Sequence, residues 1–205
     1  MKLHANAVSP YVRKVLVLAI ETGLRDRIEP VTRLHTPVKP DPDLTSDNPL
    51  GKIPCLVTDD GTALYDSRVI CEYLDSLHAG PRMFPETGPE RWAALRRQAL
   101  GDGILDAGVL TRYETFVRPK ERQWDAWIES HKLKFRRALD RLEGEASALA
   151  GTLDIGTITI GCALGYLDFR YADEGWRARC PQLGAWYDRF AQRPAMAETA
   201  PREVW

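Results

Sequence analysis

The spacing of apolar and polar positions changes character along the chain. Over the first 79 residues short β-like runs alternate with one-sided helical stripes. Residues 3–5 form a short strand candidate. Across residues 10–22, Val12, Val15, Leu16, Ala19 and Ile20 recur at three- and four-residue intervals, which predicts a helix with one buried face, and Gly23 supplies a stop. Residues 28–34 are β-like, with Pro30 near the start. The polar stretch 35–48 carries Pro37, Pro40 and Pro42 and predicts loop, with room for one short helix. Residues 54–58 and 62–65 flank Asp59-Asp60-Gly61, a hairpin signal. Ser67 is then read as the cap of a helix to about Leu77, with Val69, Ile70, Tyr73, Leu74 and Leu77 inward.

Beyond Pro89 the pattern is helical only. Trp124, Ile128, His131, Phe135, Leu139 and Leu142 make a stripe with helical spacing, and Trp124 and Trp127 are expected in the core. Asp102, Asp106 and Tyr113 share one face of an otherwise apolar helix. That face is either a solvated stripe or the wall of a cleft. Residues 80–89 are turn-rich and read as a linker. The expected organisation is an α/β unit over residues 1–79 and an all-α unit over residues 90–205.

Composition narrows the function. The 205 residues suffice for one large or two small domains. The 28 Lys and Arg against 29 Asp and Glu leave a net charge of -1. The charges are not gathered into a basic arm, so no nucleic-acid partner is expected. At 44% hydrophobic and 28% charged the chain is too apolar for disorder. The apolar stretch 155–167 is too short to span a bilayer, so no membrane association is expected. The first residues carry no apolar leader, and the four cysteines include no Cys-x-x-Cys pair. Both features suggest a cytoplasmic protein without disulfides. Cys55 and Cys71 read as small buried side chains. The four histidines show no metal-ligand spacing, and no metal is expected.

Three junctions could carry chemistry. Ser9-Pro10 joins a strand to a helix; it is an ordinary N-cap or, with exposed amides and a positive helix end, a seat for an anion or thiolate. Pro54 heads a β-like segment after Asn48-Pro49-Leu50-Gly51-Lys52-Ile53. It is a candidate cis bond that leaves the Ile53 amide and carbonyl available to another extended chain, or simply a rigid loop end. Asp66-Ser67 again joins strand to helix, as a cap or as a holder for the charged end of an amino-acid-like ligand.

Together, Ser9-Pro10-Tyr11, Ile53-Pro54 and Asp66-Ser67 resemble the glutathione transferases, and the resemblance covers the whole chain. Gly165-Tyr166-Leu167-Asp168-Phe169 in a central helix belongs to it, and the segments 102–106 and 112–114 resemble a bacterial branch. The resemblance implies a thioredoxin-like first domain that holds glutathione and an all-helical second domain that supplies the electrophile pocket. Ile53 would pair its backbone with the cysteinyl part of glutathione, and Pro54 would be the structural cis-proline. Asp66 and Ser67 would hold the γ-glutamyl end, and Lys52 the glycyl carboxylate. Arg68 lies beside the pair without having to touch the ligand, and His35 is a further position near it. Tyr11, Asp106 and Tyr113 would border the electrophile, and a homodimer is implied. The chain departs from the family's Ser/Thr-x-x-Asp box in its helical domain. It reads Asp154-Ile155-Gly156-Thr157, which is expected to weaken the reciprocal bond.

Serine at position 9 sets the expected reaction. Lowering a thiol pKa by about 2 units takes about 2.7 kcal/mol. A helix end offers about 0.3–1 kcal/mol and a hydrogen bond to a charged group about 1.5–3 kcal/mol. Together they suffice, so Ser9 would stabilise the glutathione thiolate, which attacks a small hydrophobic electrophile. A cysteine there would instead favour thiol or peroxide reduction. A non-catalytic binding module is the third reading.

Overall fold

The computed structural model describes residues 1–202. β1 (Lys2–Ala5), α1 (Pro10–Glu21), β2 (Glu29–Thr32), α2 (Pro42–Asp47), β3 (Cys55–Val57), β4 (Ala63–Leu64) and α3 (Ser67–Ser76) follow in order. The strands form one sheet in the order β2-β1-β3-β4. β1 pairs parallel with β2 (Leu3 opposite Pro30) and antiparallel with β3 (His4 opposite Cys55), and β3 pairs antiparallel with β4. Pro30 is tolerated because β2 is an edge strand. The short helix allowed for in the proline-rich stretch is α2, capped by Asp41 and opened by Pro42. It is held to the sheet by the fully buried His4 ring, which lies 2.7 Å from Asp47 and 2.8 Å from Arg33.

The helical part comprises α4 (Gly88–Arg112), a π-helical turn (Tyr113–Val117), α5 (Asp125–Glu143), α6 (Ala146–Leu149), α7 (Ile155–Arg170), α8 (Trp176–Arg179), α9 (Pro181–Phe190) and α10 (Pro194–Glu198). The architecture is therefore the expected one, a small mixed α/β layer followed by helices. α4 starts at Gly88, inside the stretch read as linker. α7 is buried along thirteen consecutive residues, Ile155 to Leu167, and forms the axis of the helical part. The core is continuous, from Leu3, Leu18, Leu56 and Leu74 around the sheet to Ile104, Phe135, Leu164 and Trp186 among the helices.

The α4–α7 contact is close because glycines allow it. A Cβ on Gly101 would lie 2.8 Å from Thr159, and one on Gly108 would lie 3.1 Å from the Tyr166 ring. The N-terminus of α7 carries both halves of a capping box. Thr157 N donates to Asp154 Oδ1 at 2.7 Å, and Asp154 N donates to Thr157 Oγ1 at 3.0 Å. The reciprocal bond has ordinary length, so exchanging acid and hydroxyl leaves the motif closed.

Three sequence expectations are corrected. Asp66, not Ser67, caps α3; its Oδ1 accepts from Arg68 N at 2.8 Å, while Ser67 is the first helical residue and is buried. Val69 is 48% exposed, because the face that α3 turns inward runs through Ser67, Ile70, Cys71 and Leu74. Trp124 and Trp127 are 63% and 42% exposed. Trp124 precedes the first turn of α5, so the apolar stripe extends beyond the helix, and the buried face begins at His131.

Candidate active site

Strand direction brings the three junctions together. β1 and β3 are antiparallel, so the end of β1 and the start of β3 lie at the same end of the sheet. β3 and β4 are also antiparallel, so β4 finishes there too. Ser9, Ile53-Pro54 and Asp66-Ser67 therefore emerge from one end of the sheet, with the N-termini of α1 and α3 beside them. Two helix N-termini at one place favour an anionic ligand.

Ser9 is the N-cap of α1, with φ −80° and ψ 119°, and Pro10 occupies the first turn. Its Oγ accepts from Val12 N at 3.3 Å and its carbonyl accepts from Arg13 N at 3.0 Å. Capping uses a lone pair of the hydroxyl and not its proton. The O–H can still donate to a sulfur at the helix end.

The Ile53–Pro54 peptide bond is cis, as is Tyr65–Asp66. The ladder to β1 starts at Cys55, so the half-buried Ile53 lies outside it with its backbone amide and carbonyl beyond the last pair. Lys52 is exposed, and its carbonyl accepts from Asn48 Nδ2 at 2.8 Å. The Asp66 carboxylate is exposed and the Ser67 side chain is turned in behind it. His35 is half-buried on the loop after β2, and burial lowers its pKa.

α4 provides the facing wall. The Tyr11 hydroxyl donates to Asp106 Oδ1. Burial, reinforced by that carboxylate, pushes the Tyr11 pKa far above the usual phenol range and keeps the proton in place. Tyr113 opens the π-helical turn that ends α4, and burial raises its pKa as well. Tyr166, on α7, is buried against Gly108. Burial pushes its hydroxyl up to about 12, with Arg170 and Arg112 pulling the other way.

Asp102 does not stand with Asp106 and Tyr113 on a cleft wall. It is 1% exposed and accepts from Lys14 Nζ at 2.6 Å and Arg68 Nε at 2.7 Å. The shared helical face therefore splits: Asp102 ties α4 to α1 and α3, while Asp106 meets Tyr11 nearer the sheet end. Arg68 lies beside Asp66 as expected and ties α3 to α4 through Asp102. Lys14, fully buried, is the functional neighbour that the sequence reading missed. Its position one turn from Leu18 and beside Val15, on the inward face of α1, was the available signal.

All four cysteines are free and buried. Burial pushes Cys55 and Cys162 up to about 11 and Cys71 up to about 12. Among the described residues no group of three or more His, Cys, Asp or Glu side chains is placed to hold a metal ion, and no helix is long and apolar enough to cross a membrane.

The model of the glutathione S-transferase N-terminal domain matches residues 8–77, and that of the C-terminal domain matches residues 125–189. The chain is 35% identical to the uncharacterized GST-like protein YibF of Escherichia coli (strain K12), over 98% of both chains. It superposes with a TM-score of 0.97 on a glutathione transferase family member from Pseudomonas fluorescens Pf-5 with bound glutathione, at 50% identity over 98% of this chain and 99% of that one. A second crystal structure from that strain, with bound S-(propanoic acid)-glutathione, gives a TM-score of 0.92 at 48% identity, over 99% of this chain and 100% of that one. Fold, junction motifs and full-length similarity agree: this chain belongs to the glutathione S-transferase family.

Proposed function

We propose that the protein is a glutathione transferase in which Ser9 stabilises the glutathione thiolate for attack on an electrophile held by the helical domain. The observation that carries this reading is the convergence of Ser9, the cis Ile53–Pro54 bond and Asp66 at one end of the sheet. An extended tripeptide spans that end. Its cysteinyl backbone pairs with Ile53, its γ-glutamyl carboxylate meets the N-terminus of α3 with Asp66 and Ser67 at its amino end, and Lys52 reaches its glycyl carboxylate. The sulfur then lies against the Ser9 hydroxyl, where the end of α1 and an O–H donor act together. Tyr11, Asp106 and Tyr113 border the electrophile.

Two considerations support this reading over the others. No cysteine side chain is available to exchange disulfides, because all four are buried with raised pKa values. A non-catalytic module has no need of a tripeptide-shaped end or of a hydroxyl proton free to donate. The same reading includes a homodimer in the cytoplasm, with the α/β domain of one copy against the helical domain of the other.

Ser9→Ala should lower turnover with 1-chloro-2,4-dinitrobenzene at least tenfold while changing the KM for glutathione little. The lost cap costs about 0.5–2 kcal/mol, so thermal unfolding is followed in parallel to confirm a folded variant. An unchanged rate in the folded variant would assign thiol activation to the helix-end amides. Failure of the folded wild-type protein to bind immobilised glutathione would favour the binding-module reading.

A further inference from the structure

Beyond the sulfur position, the α4–α7 pair ends in two arginines. Gly156 packs on Ala94 and Arg97, Gly101 on Thr159 and Ile160, and Gly108 on Tyr166. The two helices thus run parallel, and continuing that register brings Arg112, the last residue of α4, level with Arg170, the last residue of α7. The charges of both arginines act on Tyr166 and on Tyr171, whose hydroxyl donates to Gly108 O at 2.6 Å.

α1 fixes where this end lies relative to Ser9. Lys14 meets Asp102 and Tyr11 meets Asp106, so α1 runs antiparallel to α4. Ser9, two residues before Tyr11, falls near the level of Gly108. Arg112 lies one helical turn beyond, roughly 6 Å along the axis.

Each guanidinium is backed by a ring. Arg112 lies 3.8 Å from the Phe116 centroid and Arg170 lies 4.0 Å from the Phe169 centroid. Stacking occupies the flat face of Arg112 and leaves its N–H edge, which pairs with no carboxylate among the described residues. An N–H edge matches a carboxylate with two parallel hydrogen bonds. Asp106, the nearby acid, is already engaged by Tyr11.

We propose that the electrophile is a small carboxylic acid, and that Arg112 reads the carboxylate while the reacting carbon faces the sulfur. This rests on the glutathione reading above. With an α,β-unsaturated acid, the thiolate forms the S–C bond at the β-carbon, the π pair moves to the α-carbon, and that carbon takes a proton from water. The hydroxide left is neutralised by the proton released when the thiol ionised. With a β-halo acid, the same S–C bond forms as the halide leaves with its bonding pair. Arg112 binds and orients, and it takes no proton.

Titration calorimetry with S-(2-carboxyethyl)glutathione and the uncharged S-propylglutathione, which has the same three-carbon chain without the two carboxylate oxygens, tests this on the wild-type protein and on Arg112→Gln. The wild type should bind the carboxyethyl compound at least about tenfold more tightly, the low end of what a hydrogen bond to a charged group supplies. Arg112→Gln should bring the two within about threefold. In the wild type, raising the salt concentration should shrink the preference while leaving S-propylglutathione binding nearly constant. Arg112 is half-exposed at a helix end. Should its variant nevertheless misfold, the salt series alone decides. Equal binding of the two compounds by the wild type, or a preference that survives Arg112→Gln, would overturn the carboxylate assignment and leave the glutathione site standing. If neither compound binds, nor glutathione itself, the underlying reading fails.

Discussion

Asp102→Ala should destabilise the protein by about 3–5 kcal/mol, the cost of leaving a buried charge without its partner. Lys14 is fully buried and its ammonium is 2.6 Å from Asp102. Removing the carboxylate strands that buried ammonium between α1 and α4. Arg68, on the more exposed side, can turn to water and loses less. The distinguishing comparison is the double variant Lys14→Met/Asp102→Leu. It removes both charges and keeps the volume, so it should recover most of the loss, because a buried ion pair stabilises little relative to a packed apolar pair. Urea unfolding midpoints at constant m-value measure both. A loss under about 1 kcal/mol for the single variant would mean that water reaches Lys14 and that the site is not sealed.

The second large effect has a sign opposite to the one helix propensity suggests. Gly156→Ala lies in the first turn of α7, and alanine is intrinsically favoured over glycine in a helix by about 1 kcal/mol. Yet the added Cβ would stand 2.6 Å from the Ala94 carbonyl oxygen and 2.6 Å from Arg97 Cβ. Both contacts belong to the body of α4, which cannot swing aside as a side-chain tip can. The helices must separate beside the Asp154–Thr157 box. A net loss of about 1–3 kcal/mol is expected, as for other overpacked cores. Gly103→Ala provides the control. Its Cβ would meet nothing within 4 Å, so it should gain about 0.5–1 kcal/mol. Equal thermal shifts of the same sign for the two variants would show that propensity, not close approach, governs both.

How far the sequence was legible follows from where its signals are local. Strand-to-helix junctions carry their own chemistry, so Ser9-Pro10, Ile53-Pro54 and Asp66-Ser67 could be picked out one at a time. That they meet depends on β3 running antiparallel to both β1 and β4, which no local signal states. Periodicity found α1 and α3 but misplaced Val69 and Trp124, because a stripe specifies an apolar face and not what covers it. The α4 face was marked by the spacing of Asp102 and Asp106, but its two acids have different fates. Asp102 meets Lys14, a cation buried on the inward face of α1. The Arg112–Arg170 end stayed hidden for a related reason. The two residues are far apart in sequence, and only the parallel packing of α4 on α7 sets them level.

The sealing of the four cysteines has a practical corollary. In the proposed reaction no cysteine thiol of the folded protein would compete with glutathione for the electrophile, so self-alkylation at cysteine would not be a route to inactivation. A maleimide reagent would find its targets only in molecules that have opened, and the pace of labelling would then count unfolding events rather than surface chemistry.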